Sequence, residues 1–262
     1  VSNTTIDNVV MVGNLSLSAN GIYLTNSSDL TLSNNTIQVG GDYGIYTNES
    51  DNSVVNNNTI TGSYSTTIEM RDCDNCHFEG NTLSGNTVLQ LEYSNSLVIH
   101  DNQVLDHYSG FQLYGCDSAQ VTSNEMTKPE SSLFGNRFNR FIYNNNSSST
   151  VIEDNVFSVE NGNEGHQEYS AMIVSHQSVI KDNIYIHDTP SLYGYYNFFI
   201  WANESVISGN TYSMVCNGEY MFGFLRTSGS ENNRSLVENN TITSTQYYPF
   251  NNWNSSWRAF IN

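Results

Sequence analysis

Three aspartates occupy the same position of a recurring sequence pattern, directly before an asparagine. They are Asp101, Asp154 and Asp182, and the last two fall in consecutive repeats of the pattern. If consecutive repeats stack as strands of one sheet, the carboxyl groups of Asp154 and Asp182 lie about 5 Å apart. That separation suits the two carboxylates of a retaining glycosidase or a calcium site built from oxygen ligands.

The other repeats weaken a catalytic interpretation of this pair. Their equivalent position holds small polar turn residues, namely Asn34, Asn57, Gly80, Ser123, Gly209 and Asn239. No arginine falls beside the pair in the repeat register, where the candidates are Arg71, Arg137, Arg140, Arg226, Arg234 and Arg258. Lys181 is expected to point away from Asp182. We therefore assign no catalytic residue and keep Asp154 and Asp182 as the alternative reading, a polysaccharide lyase or glycoside hydrolase.

Metal ligands do not form a compact motif either. The spacing of the histidines along the chain does not match that of metal ligands. The six histidines are His77, His100, His107, His166, His176 and His187. We predict no metal site and no cofactor. Calcium at the aspartate pair is the one ion that the pattern accommodates.

The cysteines divide into a local pair and two distant residues. Cys73 and Cys76 lack both the helix of a redox motif and the second pair of a zinc site, so a disulfide across a turn is expected. Cys116 lies two repeats beyond Cys73, and Cys216 lies about four repeats further on. These axial distances exceed the Cα separation of about 7 Å that a disulfide allows. Cys116 and Cys216 are therefore candidates for disulfides between chains.

The repeat predicts the elements that position these residues. Each unit reads apolar, two polar residues, Asn, any residue, apolar, as in Leu32-Ser-Asn-Asn35-Thr-Ile37. A second segment with strand alternation follows in each unit, as in Ile68-Glu-Met70. An earlier coil is expected to centre on Asn14. The repeated asparagines are Asn35, Asn58, Asn81, Asn102, Asn124, Asn155, Asn183, Asn210 and Asn240.

Stacked coils explain this pattern physically. A coil of about 22 residues cannot bury its inner face alone, whereas coils stacked at about 4.8 Å pair each strand with its equivalents above and below. The repeating asparagine is expected in a tight turn, where its amide tolerates an unusual backbone geometry and bonds to the next amide in a ladder. The sequence thus predicts an all-β, right-handed single-stranded parallel β-helix of about ten coils.

The pattern resembles the parallel β-helix repeat family, which includes pectate-lyase-like enzymes and NosD-type proteins. The resemblance covers essentially the whole chain. It implies the fold rather than one function, because this scaffold carries enzymes, adhesins and structural proteins. In composition the chain is most similar to archaeal surface-layer and sheath proteins.

The coils lengthen after Asn124, so insertions are expected from about residue 125 onward within a single domain of residues 1–262. Because these insertions are consecutive, they should form a ridge on one side. Their aromatic residues would pack the ridge onto the helix or form a carbohydrate platform; they are Tyr193, Tyr195, Tyr196, Tyr220, Phe222, Tyr247, Tyr248, Phe250 and Trp253. Residues 253–260 are a candidate partial cap.

Composition restricts the partners and the location. The chain has 8 basic and 26 acidic residues, a formal charge of −18, which argues against nucleic acid and anionic membranes. No apolar run is long enough to span a bilayer. Low lysine content and frequent Asn-x-Ser/Thr sequons predict an extracellular, cell-surface protein. The candidate glycosylation sites are Asn3, Asn14, Asn26, Asn48, Asn145, Asn203 and Asn254.

The leading hypothesis is an extracellular structural subunit of a cell envelope, such as a surface layer, sheath or filament. Its partner is itself: an uncovered N-terminal strand edge would stack on another subunit, and bonds between chains through Cys116 or Cys216 would lock the polymer. The alternatives are a polysaccharide lyase or glycoside hydrolase and a carbohydrate-binding adhesin, with glycans as partners.

Overall fold

A computed structural model describes residues 3–13, 20–38, 40–128, 140–160, 171–189, 197–216, 222–226 and 235–244. These ranges contain twenty-six strands, numbered β1 to β26 along the chain, and no helix. The strand pairs are parallel, and each strand pairs with its equivalents one turn before and after. The predicted parallel β-helix is therefore confirmed. No membrane-spanning helix occurs in these ranges.

Each coil has up to three faces. Face 1 contains ten three-residue strands: β1 (Thr5–Asp7), β4 (Thr31–Ser33), β7 (Val54–Asn56), β9 (His77–Glu79), β11 (Val98–His100), β13 (Gln120–Thr122), β16 (Val151–Glu153), β19 (Val179–Lys181), β22 (Val206–Ser208) and β25 (Leu236–Glu238). Face 2 contains β2 (Val10–Val12), β5 (Thr36–Gln38), β14 (Glu125–Lys128), β17 (Val156–Glu160), β20 (Ile184–Thr189), β23 (Thr211–Cys216) and β26 (Thr241–Ser244). The ten rungs of face 1 match the predicted number of coils.

Face 3 contains β3 (Ile22–Thr25), β6 (Tyr43–Asn48), β15 (Arg140–Asn145), β18 (Ala171–Val174), β21 (Asn197–Trp201) and β24 (Phe222–Arg226). Three long strands serve both face 2 and face 3 because they turn the intervening corner without a break: β8 (Thr59–Arg71), β10 (Thr82–Glu92) and β12 (Gln103–Tyr114). From β14 onward, face 2 and face 3 have separate strands in each coil. The predicted insertions fall between these strands, and residues 129–139, 161–170, 190–196 and 217–221 lie outside the described ranges.

Columns of identical register form the core. On face 1 only the middle residue of each strand points inward, so that Phe78 lies beneath Ile99 and Ile99 beneath Val121. Face 2 contributes a second column, in which the buried rings of Tyr185 and Tyr212 stack with centroids 5.3 Å apart. Each apolar side chain is thus covered by its equivalents in the next coils, as close packing requires.

The predicted asparagine ladder is present at the corner between face 1 and face 2, which we call the ladder corner. Asn102 shows its bonding: its Nδ2 donates to Asn124 Oδ1 at 3.0 Å and to the carbonyl of Phe78 at 2.9 Å. Its Oδ1 accepts from the backbone N and the Nδ2 of Asn81 at 3.0 and 2.9 Å. The same side-chain bonds continue from Asn35 to Asn240. Every buried amide of the ladder is therefore satisfied.

Two details of the predicted corner were wrong. The residue before each ladder asparagine, rather than the asparagine itself, adopts the left-handed conformation, with φ of 51° at Asp101, 56° at Asp154 and 54° at Asp182. In addition, the first coil does not centre on Asn14, which lies outside the described residues. Val9 takes the ladder position there, because its backbone N donates to Asn35 Oδ1 at 3.0 Å.

Candidate functional site

The outward side of face 3 carries one straight row of large side chains, which we call the outer column. Strand register places Tyr23, Tyr46, Glu69, Gln90, Gln112, Tyr143, Val174 and Trp201 in this order along the helix axis, and it pairs Trp201 with Arg226 in the coil beyond them. At about 4.8 Å per coil the row is about 34 Å from end to end. Aromatic rings stand toward its two ends, and planar polar groups stand between them.

The tyrosines at the first end form a small aromatic cluster. The rings of Tyr23 and Tyr46 stack with centroids 4.7 Å apart and planes inclined by 13°, and Tyr43 packs against Tyr46 at 5.0 Å. Tyr23 remains 58% exposed. The cluster therefore offers aromatic surface to solvent from a rigid strand scaffold.

One cation and two carboxylates form an ion-pair network in the middle of the outer column and beside it. Arg71 Nη2 lies 2.7 Å from Glu69 Oε1, and Arg71 Nε lies 3.2 Å from Glu92 Oε2. Gln90 donates to Glu92 Oε1 at 2.7 Å. Glu69 is only 3% exposed, and its burial raises the pKa of its carboxyl while Arg71 opposes that shift. One cation thus holds two carboxylates in fixed positions.

Rings and polar groups continue at the other end of the outer column. The hydroxyl of Tyr114, beside the column, donates to Gln112 Oε1 at 2.8 Å. The guanidinium of Arg140 lies 4.0 Å above the centre of the Tyr143 ring, a cation–π contact. Val174 is buried between Tyr143 and Trp201. This arrangement combines apolar ring surface with fixed hydrogen-bonding groups.

Sequence reasoning missed this site, although the signal was available. The middle residue of each second repeat segment, such as Glu69 in Ile68-Glu-Met70, points outward, and counting the register aligns these residues in one row. We predicted that no arginine lies next to Asp154 or Asp182, and that prediction did not consider other carboxylates. Arg71 forms ion pairs with Glu69 and Glu92. These carboxylates come from neighbouring coils, 23 residues apart in the sequence.

The aspartate pair predicted from the repeat lies at the ladder corner, away from face 3. Asp154 and Asp182 do approach each other, and together with Glu153 they place ligand atoms within 4.8 Å of one another. Lys181 forms an ion pair with Glu153. Carboxylates this close could hold a divalent cation, but Asp154 and Asp182 are exposed residues whose type follows from the left-handed backbone at their position.

The cysteines confirm one prediction and correct another. Cys73 and Cys76 form a disulfide with Cα atoms 6.0 Å apart. Cys116 is a fully buried free thiol, and burial raises its pKa to about 11. The prediction of a bond between chains through Cys116 was wrong for this fold, because the residue points inward. Cys216 ends β23, and its side chain lies outside what the structure describes.

Three predicted glycosylation sequons coincide with a structural corner motif. Ser50, Ser147 and Ser205 are buried and donate to the carbonyls of Asn48, Asn145 and Asn203 at 3.2, 3.3 and 2.8 Å. The corner thus accounts for these triplets without a glycan. Asn3 and Asn26 lie on exposed corners, Asn14 and Asn254 lie outside the described residues, and occupancy stays a prediction.

Several predicted features lie outside the described part of the chain, and the described histidines His107 and His176 lie apart from one another. The aromatic side chains of the insertions and the residues of the candidate cap fall outside the described part of the chain, as do the side chains of His166 and His187. Among the described histidines, His107 is buried beside Phe141, with ring centroids 5.3 Å apart. His176 lies at the corner between face 3 and face 1.

Comparison with known proteins identifies the family. A sequence model described as a right handed beta helix region matches residues 1–157, more than half of the chain. The chain belongs to this right-handed β-helix family. No curated protein sequence gives a significant match.

Solved structures with the same fold are similar to this chain at low sequence identity. A surface adhesin of Streptococcus pneumoniae, PfbA, has a TM-score of 0.58 at 12% identity, covering 92% of this chain and 68% of its own. An alginate lyase from Paenibacillus sp. has a TM-score of 0.57 at 12% identity, covering 99% of both chains. A tailspike protein of E. coli bacteriophage HK620, in complex with a hexasaccharide, has a TM-score of 0.62 at 12% identity, covering 91% of this chain and 46% of its own. These likenesses establish the fold.

Proposed function

We propose that this protein is an extracellular surface protein that binds a neutral glycan along the outer column of face 3. The observation that carries the proposal is the row of rings and planar polar groups from Tyr23 to Trp201. A sugar ring has an apolar face, which packs on an aromatic ring, and hydroxyl groups, which pair with amides and carboxylates. A glycan chain laid along the axis would meet both kinds of group in turn.

The charge distribution favours a neutral glycan over an acidic one. Arg71 is engaged by Glu69 and Glu92, so it offers little free positive charge. The chain as a whole has a formal charge of −18, which repels polyanions. The surface adhesin and the tailspike bound to a hexasaccharide, both similar in fold, support a surface location and a saccharide partner.

The test compares tyrosines on and off the outer column. Tyr46→Ala and Tyr143→Ala are expected to weaken binding to neutral polysaccharides in affinity electrophoresis. Tyr93→Ala is the matched control, because Tyr93 is 66% exposed but lies outside the column, and it should bind as the unaltered protein does. Equal binding by all variants would refute the site. Cleavage of the glycan that Glu69→Gln abolishes would instead assign a lyase or hydrolase activity.

A structural role in a cell envelope is the second candidate. The observation that favours it is the unbroken amide ladder from Asn35 to Asn240, which joins successive coils by side-chain as well as backbone hydrogen bonds. Such a stack suits a stiff building block. Electron microscopy of purified protein, with and without reductant, would reveal ordered polymers if this role is correct, and a persistent monomer would reject it.

A further inference from the structure

The corner between face 3 and face 1 changes length along the helix, and we call it the variable corner. Between Tyr143 and Val151 it contains seven residues, 144–150. Between their partners Val174 and Val179 it contains only four, 175–178. The preceding coil also has seven residues, 113–119, and the following coil has four, 202–205.

The shortening leaves a ledge. If the register of the strands before the corner is continued, Asn145 is paired with His176. If the register of the strands after the corner is continued backwards, Ser149 is paired with Gln177, and Ser149 and Gln177 both have a left-handed backbone. Residues 146–148 therefore have no counterpart in the next coil. Toward the preceding coil they are held firmly, since Ser148 donates through its N and Oγ to Asp117 Oδ1 at 2.6 and 2.8 Å.

An open depression of about 420 Å³ lies at this step. Asp117, residues 144–148, His176 and Gln177 line it. Its volume falls in the range of about 300–1,000 Å³ typical of small-molecule sites. Its lining contains no lysine, arginine or apolar side chain.

The core beside the depression is also unusual. Asn144 takes the position that Leu113 holds in the preceding coil. Its Nδ2 donates to Thr150 Oγ1 and Ser175 Oγ, both at 2.9 Å, whereas its Oδ1 is buried without a partner among the described residues. A buried acceptor without a partner costs stability, so packing alone does not account for an asparagine here.

The hydrogen-bonding groups of the lining are defined in type. His176 Nδ1 accepts from the backbone N of Asn203 at 3.1 Å, and burial lowers the pKa of His176. A neutral ring that accepts at Nδ1 has its proton on Nε2, which makes Nε2 a donor. Gln177 Nε2 donates to Glu204 at 3.0 Å, which leaves its Oε1 as an acceptor.

We propose that this depression is a second binding site, for one or two units of a neutral sugar, at the edge of the outer column. Sugar hydroxyls both donate and accept, and they match a lining of amides, two serine hydroxyls, a carboxylate and a neutral imidazole. Asp117 and the absence of lysine and arginine from the lining disfavour anions. The site goes beyond the proposed function, because it would bind a free glycoside without a polymer on face 3.

The experiment titrates the full chain with methyl glycosides of glucose, galactose, mannose and N-acetylglucosamine, followed by amide NMR. At least one glycoside should shift the amides of residues 145–148 and 176–177 saturably. Asn146→Gly and Gln177→Ala should each weaken its affinity by up to about tenfold, the value of one neutral hydrogen bond. Asn26→Gly is the matched control, since Asn26 has the same left-handed conformation at the same corner, with φ of 50°.

The outcomes separate the two sites. The proposal is overturned if no glycoside shifts these amides, or if Asn146→Gly and Gln177→Ala bind as tightly as Asn26→Gly does. Tyr46→Ala should leave glycoside binding at the depression unchanged. Loss of polysaccharide binding in Tyr46→Ala, with glycoside binding retained, would support two separate sites. Glycoside binding without any polysaccharide binding would reject the outer column and leave the depression standing.

Discussion

The ladder corner and the variable corner bound the same coils but follow opposite rules. At the ladder corner the same asparagine recurs from Asn35 to Asn240, and each amide binds the next. At the variable corner the buried residue types change from coil to coil, as at Leu97, Ala119 and Thr150, and the corner shortens from seven residues after Tyr143 to four after Val174. A position that bonds to its own equivalent must repeat, because one different residue would leave buried groups unpaired on both sides.

The outer column extends this contrast. Its residues lie on the outward side of face 3 and differ from coil to coil, from Tyr46 through Glu69 to Gln112. Backbone pairing does not depend on them, so they are free to serve binding. In this solenoid the stabilising contacts are therefore those that repeat in every coil, and the candidate sites lie where the repeat is broken or is not required.

The largest expected effect concerns an inward-pointing residue, the Cys116 thiol, which should react far more slowly with an alkylating reagent in the native protein than in the unfolded one. Cys116 points into the variable corner, and burial raises its pKa to about 11. Alkylation by iodoacetamide at pH 8 should therefore be at least about a hundredfold slower in the native protein than in urea. Peptide mapping by mass spectrometry measures this ratio. Rapid labelling of native protein would place the thiol at the surface and restore Cys116 as a candidate for bonds between chains.

A break in the buried ladder should lower the free energy of unfolding more than any other single substitution considered at these corners. Asn102→Ala removes the acceptor of the Asn81 backbone N and the donor to Asn124. The free energy of unfolding should fall by about 1–3 kcal/mol. Urea denaturation measures it, with Gln103→Ala as the exposed neighbour that should change little. Equal losses in both variants would mean that the ladder contributes nothing specific.

At the left-handed position before the ladder asparagine, the effect of a substitution on stability should depend on whether the new side chain is β-branched. Asp101 has φ of 51°, which asparagine tolerates and a β-branched side chain does not. Asp101→Val should destabilise the protein by about 1–2 kcal/mol, whereas Asp101→Asn should be nearly neutral. Thermal unfolding of the two variants provides the measurement. If Asp101→Asn proved the more harmful, the carboxylate itself would have a role that the backbone does not explain.

The outer column should contribute a smaller, pH-dependent effect. Because burial raises the pKa of Glu69 above its usual value, the native state favours the protonated form more than the unfolded state does. Its contribution is present below the unfolded pKa and is lost as pH rises through the raised native value. The stability of the protein relative to Glu69→Gln should therefore decline across that window. A constant difference in urea denaturation at several pH values would contradict this.

The sequence alone determined the repeat and hence the fold. Asn102 and its equivalents bond to copies of themselves, so the repeat is visible in the order of the residues. The Cys73–Cys76 disulfide was predicted because the other cysteines lie too far away along the axis, and it is present. The left-handed residue was only half predicted: small polar residues marked the turn, but the backbone had to show that Asp101, and not Asn102, carries the positive φ.

Tertiary structure alone decided which side chains meet across coils. Register brings Glu92 to Arg71, whose other partner Glu69 is two residues away on the same strand. The ledge at residues 146–148 exists only because two adjacent coils differ in length. The burial of Cys116 was likewise decided by the direction of one side chain in a corner. The repeat pattern in the sequence shows only the residues that neighbouring coils have in common. These features depend on residues and lengths that differ between coils, and their contacts are known only once the coils are stacked.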